Sequence, residues 1–370
     1  MDLTFLKPLY RRSGPYVSVY VDLTRTTEDV SKAAELRWRA LRAHLEEQGA
    51  PRDTLRAVEE TVLDDLHARR SAGMAIFAAD GEVALAERLP GPPAVSLARM
   101  APLPHVLPCL AARGERLPYV RVLVDRRGGE ICCVTADGRR RVIEVEGDEE
   151  YPIRKTKAGD WNQSRFQRAA AMAWKANAKK VGREVDHAAE RCGAEAVVIA
   201  GDVQARGAVL EEISERLRGR TVEADRGSRA DGADGAALDA EIRRILDLKR
   251  TERVGAVAER FERELAHGQR AVAGLPATVQ ALRRGQVECL LLDDDPFSPA
   301  RLWVGPRPGD LALTADELRE SGVDDPVQDR ADAALIRAAA CADGELFIVP
   351  PDEPYAGLGV GAVLRYTIAA

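Results

Sequence analysis

Apolar residues fall at every second position near the start of the chain. In YVSVYVDL, Val17, Val19 and Val21 alternate with polar or aromatic neighbours, which predicts a strand with one face in a core. Charged stretches with helical spacing follow over Ser31–Gln48 and Pro51–Arg70. Met74–Ala79 and Glu82–Arg88 alternate again around Asp80-Gly81, the signature of a hairpin. The proline-rich stretch Pro90–Pro108 reads as a connector.

A second block starts at Tyr119, with three strands in a row turned at Gly128-Gly129 and at Asp137-Gly138. A long helix is predicted over Asn162–Cys192, then a buried strand Glu195–Asp202 and a helix to Arg218. Strands followed by helix, strand and helix predict a mixed sheet covered by helices. Asp225–Ala237, rich in glycine, aspartate and small residues, reads as an exposed joint. The next helix, Ala237–His267, offers Leu238, Ile242, Ile245, Leu246, Val257 and Phe261 as inward positions. Beyond it come a helix at Ala277–Arg284, strand VECLLL, a helix at Asp329–Asp343, and strands ELFIVP and GAVLRY. The expectation is an α/β (α+β) protein in three domains, 1–112, 113–232 and 233–370.

Composition narrows the class. The chain has 370 residues, 45% of them hydrophobic and only 5% aromatic, so its cores must be built mainly from Ala, Val and Leu. Six cysteines without CxxC spacing read as buried thiols, and five scattered histidines offer no metal-ligand spacing. No metal or cofactor is expected. Neither a signal peptide nor a long apolar run is present, so the expectation is a soluble, cytoplasmic protein with no membrane partner.

Charge is where the chain departs from the ordinary. Its overall balance is −6, yet Tyr151–Arg183 carries nine cations against one carboxylate, Asp160. The cations are Arg154, Lys155, Lys157, Arg165, Arg168, Lys175, Lys179, Lys180 and Arg183. On a helix, Arg165, Arg168, Lys175 and Lys179 share one side, while Phe166, Ala170, Ala173, Asn177 and Val181 share another. Such a ridge neutralises phosphates and releases counterions. The alternative is a solvated helix face. Trp161 can stack on a base or lie on its own domain surface. Asp125, Glu130 and Asp202 at strand ends would suit a magnesium-dependent nuclease, but turn and strand-end positions explain them as well. No phosphate-loop Lys-Ser or Lys-Thr follows the glycines, so nucleotide hydrolysis is unsupported.

Two stretches of the last block, AVAGLPATVQALRRGQVECLLL (Ala271–Leu292) and GLGVGAVLRY (Gly357–Tyr366), resemble the L7Ae-like third domain of class-one archaeal and eukaryotic release factors and of Pelota. The middle block resembles the bacterial members of that superfamily, related to Vms-type peptidyl-tRNA hydrolases and the hibernation factor Balon. Their loop often reads Gly-Gly-Trp-Ser-Gln before a basic helix; here it is Gly159-Asp160-Trp161-Asn162-Gln163. Over 1–110 the resemblance is weak, and no codon-reading motif is found.

The resemblance implies a ribosome-binding factor of the A site. Its middle domain would face the peptidyl-transferase centre, and its last domain a translational GTPase such as elongation factor Tu. Arg154, Lys155, Lys157, Trp161, Asn162, Gln163, Arg165, Arg168, Lys175 and Lys179 are then the RNA-contacting set. Asp160 stands where a hydrolytic loop has its second glycine, and its charge would repel the tRNA end. The expectation is therefore a non-hydrolytic hibernation factor. The alternative is a peptidyl-tRNA hydrolase that rescues ribosomes through Gln163, with Gly159 making the sharp turn. For Gln163 itself three roles stay open: a first-turn helix residue, an RNA contact, or a water-placing catalytic group.

Overall fold

The computed structural model describes residues 1–12, 14–24, 30–68, 71–136, 138–146, 160–225, 227, 235–268, 270–295, 297–349, 357 and 359–366, and for 30–32 and 160–174 the backbone alone. It forms two compact units, Met1–Glu115 with Val254–Ala370, and Arg116–Arg253.

The first segment contains β1 (Tyr16–Asp22), α1 (Val30–Glu47), α2 (Arg52–Ala68), β2 (Gly73–Ala79), β3 (Glu82–Leu89), β4 (Leu97–Ala101) and α3 (Leu107–Arg113). Its antiparallel sheet runs β3-β2-β1-β4. β4 lies inside the expected proline-rich connector, where it pairs Tyr16–Tyr20 of β1 with Leu97–Ala101. Five residues between prolines are too few to show a period, and the strand is set by the free edge of β1. The alternation along β1 serves two cores. Val17, Val19 and Val21 pack with Trp38, Leu55, Val58 and Val62 of α1 and α2. Tyr16 and Tyr20 face the other way, into a core completed by the end of the chain.

The middle unit contains β5 (Tyr119–Val124), β6 (Gly128–Val134), β7 (Arg140–Glu146), α4 (Asp160–Cys192), β8 (Ala196–Gly201), α5 (Val203–Glu212), α6 (Glu215–Arg218), β9 (Thr221–Glu223) and the first part of α7 (Gly235–Ala266). The sheet order is β7-β6-β5-β8-β9. β5, β6 and β7 are antiparallel; β8 and β9 run parallel to β5. Val120, Val122, Val124, Ile131, Val197 and Ile199 cover one face and meet Val181, Val185, Ala188 and Ala189 of α4. Ala196, Val198 and Ala200 on the other face meet Leu238, Ile242, Ile245 and Leu246 of α7. These burials withdraw enough apolar surface on both faces to hold the unit as a three-layer sandwich.

The last segment contains β10 (Ala271–Ala273), α8 (Leu275–Arg283), β11 (Val287–Asp293), β12 (Arg301–Val304), β13 (Leu311–Ala312), α9 (Ala315–Glu320), β14 (Val327–Arg330), α10 (Ala331–Cys341), β15 (Glu345–Val349) and β16 (Val360–Leu364). One sheet runs β10-β16-β11-β15 and a small one β13-β12-β14. Asp329, expected to open a helix, lies in β14 instead, and its carboxylate is taken by Arg99 and by the Leu103 N–H of the first segment. α10, alanine-rich and buried along almost its whole length, sits in the core that also holds Leu3, Leu6, Phe77 and Leu107. All six cysteines are free, five of them buried.

Candidate functional site: a basic helix longer than its sheet

α4 begins at Asp160, two residues before the expected start, and runs 33 residues, about 50 Å at 1.5 Å per residue. Its buried side chains within the described part are Asn177, Ala178, Val181, Val185, Ala188, Ala189 and Cys192, with Gly182 buried beside them, a stripe at three- and four-residue spacing. Lys175, Lys179, Lys180 and Arg183 are exposed.

The direction of α4 over the sheet decides what the rest of it can do. Asn177 Nδ2 donates to the Arg126 carbonyl at 3.4 Å, beyond the carboxyl end of β5. At the other end, the Cys192 thiol meets that of Cys133, whose strand position pairs with Val120 near the start of β5. Burial first, and then this neighbouring thiol, push the Cys192 thiol up to about 12. Asn177 to Cys192 therefore spans the sheet. Residues 160–176 run on for about 25 Å past the carboxyl ends of β5 and β8.

Of the expected site residues, Arg154, Lys155, Lys157 and Gly159 lie outside the described residues. Trp161, Asn162, Gln163, Arg165 and Arg168 lie on the projecting part of α4, described in its backbone only. Gln163 is in the first turn of that helix. Lys175 and Lys179 are near its base.

The strand-end carboxylates are each engaged. Asp125 Oδ1 accepts from the Arg127 N–H at 2.7 Å and the Gly128 N–H at 2.9 Å. Asp202 Oδ1 caps α5 through the Gln204 and Ala205 N–H groups at 3.0 and 3.1 Å. Glu130 pairs with Arg121 at 2.7 Å. Among the described residues no group of three or more His, Cys, Asp or Glu converges to hold a metal ion. Among the same residues no helix is long and apolar enough to cross a membrane.

One feature beside α4 has no counterpart in the expected set. The β5–β6 turn falls at Arg126-Arg127, not at Gly128-Gly129. Gly128 is already in β6, where a Cβ would stand 1.9 Å from the Val145 carbonyl oxygen. The two glycines serve strand packing, and the DRRGG sequence disguised two arginines at the hairpin tip as ordinary turn flanks.

The middle unit is thus a mixed five-stranded sheet under an overlong basic helix. The sequence profile described as "Bacterial archaeo-eukaryotic release factor family 2" matches residues 118–267. Two uncharacterized Mycobacterium tuberculosis proteins, MT2704 and Rv2629, are each 31% identical over 374 residues, covering 98% of this chain and 96% of theirs. The chain belongs to this bacterial family of archaeo-eukaryotic release factors. Among solved structures it is similar to archaeal translation termination factor aRF1, at 18% identity over 98% of this chain and 96% of that one, with a TM-score of 0.28. A ribosome-bound archaeal Pelota matches at 13% identity over 99% and 95%, with a TM-score of 0.42. Saccharomyces cerevisiae Dom34, a termination-like factor interacting with Hbs1, matches at 12% over 71% and 67%, with a TM-score of 0.38.

Proposed function

We propose that this protein is a ribosome-binding translation factor that occupies the vacant A site of idle ribosomes, as the hibernation factor Balon does, without cleaving peptidyl-tRNA. One observation carries the proposal. The part of α4 that bears Arg165, Arg168 and Lys175 is free of its sheet for about 25 Å, a reach suited to a narrow RNA-lined site. Membership of the release-factor family supports ribosomal RNA as the ligand.

The non-hydrolytic part rests on Asp160 and on the helix it starts. A release loop needs glycines so that its backbone can approach the ester. Asp160 instead opens a regular helix, where a carboxylate is favoured by the helix dipole. Gln163 then rides on a helical turn rather than on a glycine loop. We assign 1–112, 113–232 and 233–370 as three functional parts of a cytoplasmic factor. The middle part contacts ribosomal RNA near the peptidyl-transferase centre. The last meets a translational GTPase such as elongation factor Tu.

Ribosomes carrying peptidyl-tRNA, mixed with the purified protein, test the reading. The expected result is co-sedimentation without peptide release. Release that vanishes in Gln163→Ala overturns it in favour of the peptidyl-tRNA hydrolase. Reversal of Arg165, Arg168 and Lys175 to glutamate is expected to abolish co-sedimentation. Retention of binding by that triple variant removes the basic helix as the contact.

A further inference from the structure

We propose that Arg127, at the tip of the β5–β6 hairpin, is a second RNA phosphate contact, acting on the same ligand as α4 but from a different element. The proposal rests on the RNA-binding reading of α4 above and adds a site outside the helix.

Three observations carry it. The first is rigidity. Asp125 Oδ1 takes the Arg127 and Gly128 N–H groups, the Asp125 N–H donates to the Gly128 carbonyl at 3.0 Å, and Gly128 is pressed onto β7. Asn177 of α4 donates to the Arg126 carbonyl at 3.4 Å, which ties the hairpin tip to the base of the projecting helix. A cation on a fixed backbone loses little entropy when it takes a phosphate.

The second is a division of labour between the two arginines. Arg126 Nε lies 3.6 Å from Asp202, and its guanidinium donates to Gln204 at 3.4 Å, which ties the tip to the start of α5. Arg127 is exposed and makes no ion pair among the described residues. Among the described residues no carboxylate neutralises its charge.

The third is place. The tip stands at the carboxyl ends of β5 and β8, where α4 leaves the sheet, so an RNA held along the helix passes it. The small cleft between the hairpin, α4 and α5, about 40 Å³, is lined by Asp125, Arg126, Asn177, Val181, Gln204 and Ala208, with Arg127 outside it.

The experiment is a salt titration of binding to vacant ribosomes and, separately, to a structured fragment of ribosomal RNA. Arg127→Gln is expected to weaken binding to both and to lower the slope of log K against log salt by about one. Arg127→Lys is expected to keep the slope. Arg141→Gln, on an exposed arginine at the far end of the same sheet, is expected to change neither. Matching unfolding midpoints for all three variants establish that they are folded. An unchanged slope in Arg127→Gln, or an equal loss in Arg141→Gln, overturns the contact while leaving the A-site reading intact. Failure of the wild type to bind ribosomes sinks the A-site reading instead. The RNA fragment then decides this proposal alone: a slope difference sustains it, and no binding overturns it.

Discussion

Asp329, at the end of β14, has no exposed surface, and its carboxylate receives the guanidinium of Arg99 from β4, more than two hundred residues earlier in the chain. Its second oxygen accepts the Leu103 N–H at 2.8 Å. A buried charge with both oxygens satisfied is tolerated, whereas removing one partner strands the other. Asp329→Ala leaves a partly buried guanidinium and an orphaned N–H. It is expected to cost about 3–5 kcal/mol, read as a lower urea midpoint. Asp329→Asn keeps a hydrogen-bond acceptor and is expected to lose less. Equal stability of Asp329→Ala and wild type would show that the pair does not join the first and last segments energetically.

Acid should open the same interface through a neighbouring residue. Burial raises the Asp332 pKa, but the His105 ring and the Arg330 guanidinium beside it outweigh that and hold it at about 2. His105 Nε2 lies 3.5 Å away, and Arg330 binds both carboxylate oxygens. A carboxyl depressed in the folded state adds stability above its unfolded pKa of about 4, and loses it as pH falls from there through about 2. The size is about 2 kcal/mol. Unfolding free energy measured from pH 5 to pH 2 should fall more steeply in the wild type than in Asp332→Asn. Parallel curves would exclude the pairing as the cause.

These contacts also mark where sequence reading stops. The alternation in β1 and the stripe of α7 were legible, because each follows from a local period that burial enforces. That β1 is buried on both faces was not, since Tyr16 and Tyr20 meet partners near the far end of the chain. Asp329 and Asp332 look like the acidic start of a helix; only their distant arginine and histidine partners make one a strand end and the other a buried ion pair. For α4, charge and spacing predicted a basic ridge, of which Lys175 and Lys179 are exposed, while Arg165 and Arg168 lie on backbone described without side chains. The projecting length needed the position of Asn177 against Arg126, a contact with no local signal.

Gly201 offers a test confined to the middle unit. It has φ +117°, and a Cβ there would stand 2.0 Å from the Val124 carbonyl oxygen. Both the conformation and the space exclude a side chain. Gly201→Ala must therefore separate β8 from β5 at the carboxyl edge that positions Asp202. The expected cost is about 2–4 kcal/mol. Amide hydrogen exchange should rise in 116–253 and stay unchanged in β1 and β2. Uniform loss of protection throughout the chain would mean that the two units unfold as one.

The projecting part of α4 separates binding from stability. Ala171 lies six residues before Asn177, on backbone that has passed the end of the sheet. Proline there removes a helical hydrogen bond and clashes with the preceding turn, at about 3 kcal/mol of local helix stability. Had that turn been packed on the sheet, the loss would appear in the unfolding of the whole unit. Because it extends beyond the sheet, Ala171→Pro is expected to leave the unfolding midpoint near that of the wild type. It should nevertheless redirect Arg165 and Arg168 and weaken ribosome co-sedimentation by at least about tenfold, the equivalent of one or two lost phosphate contacts. A large fall in the unfolding midpoint would place those residues in the core. Undiminished binding with the helix broken would mean that its straight reach is not what the ribosome engages.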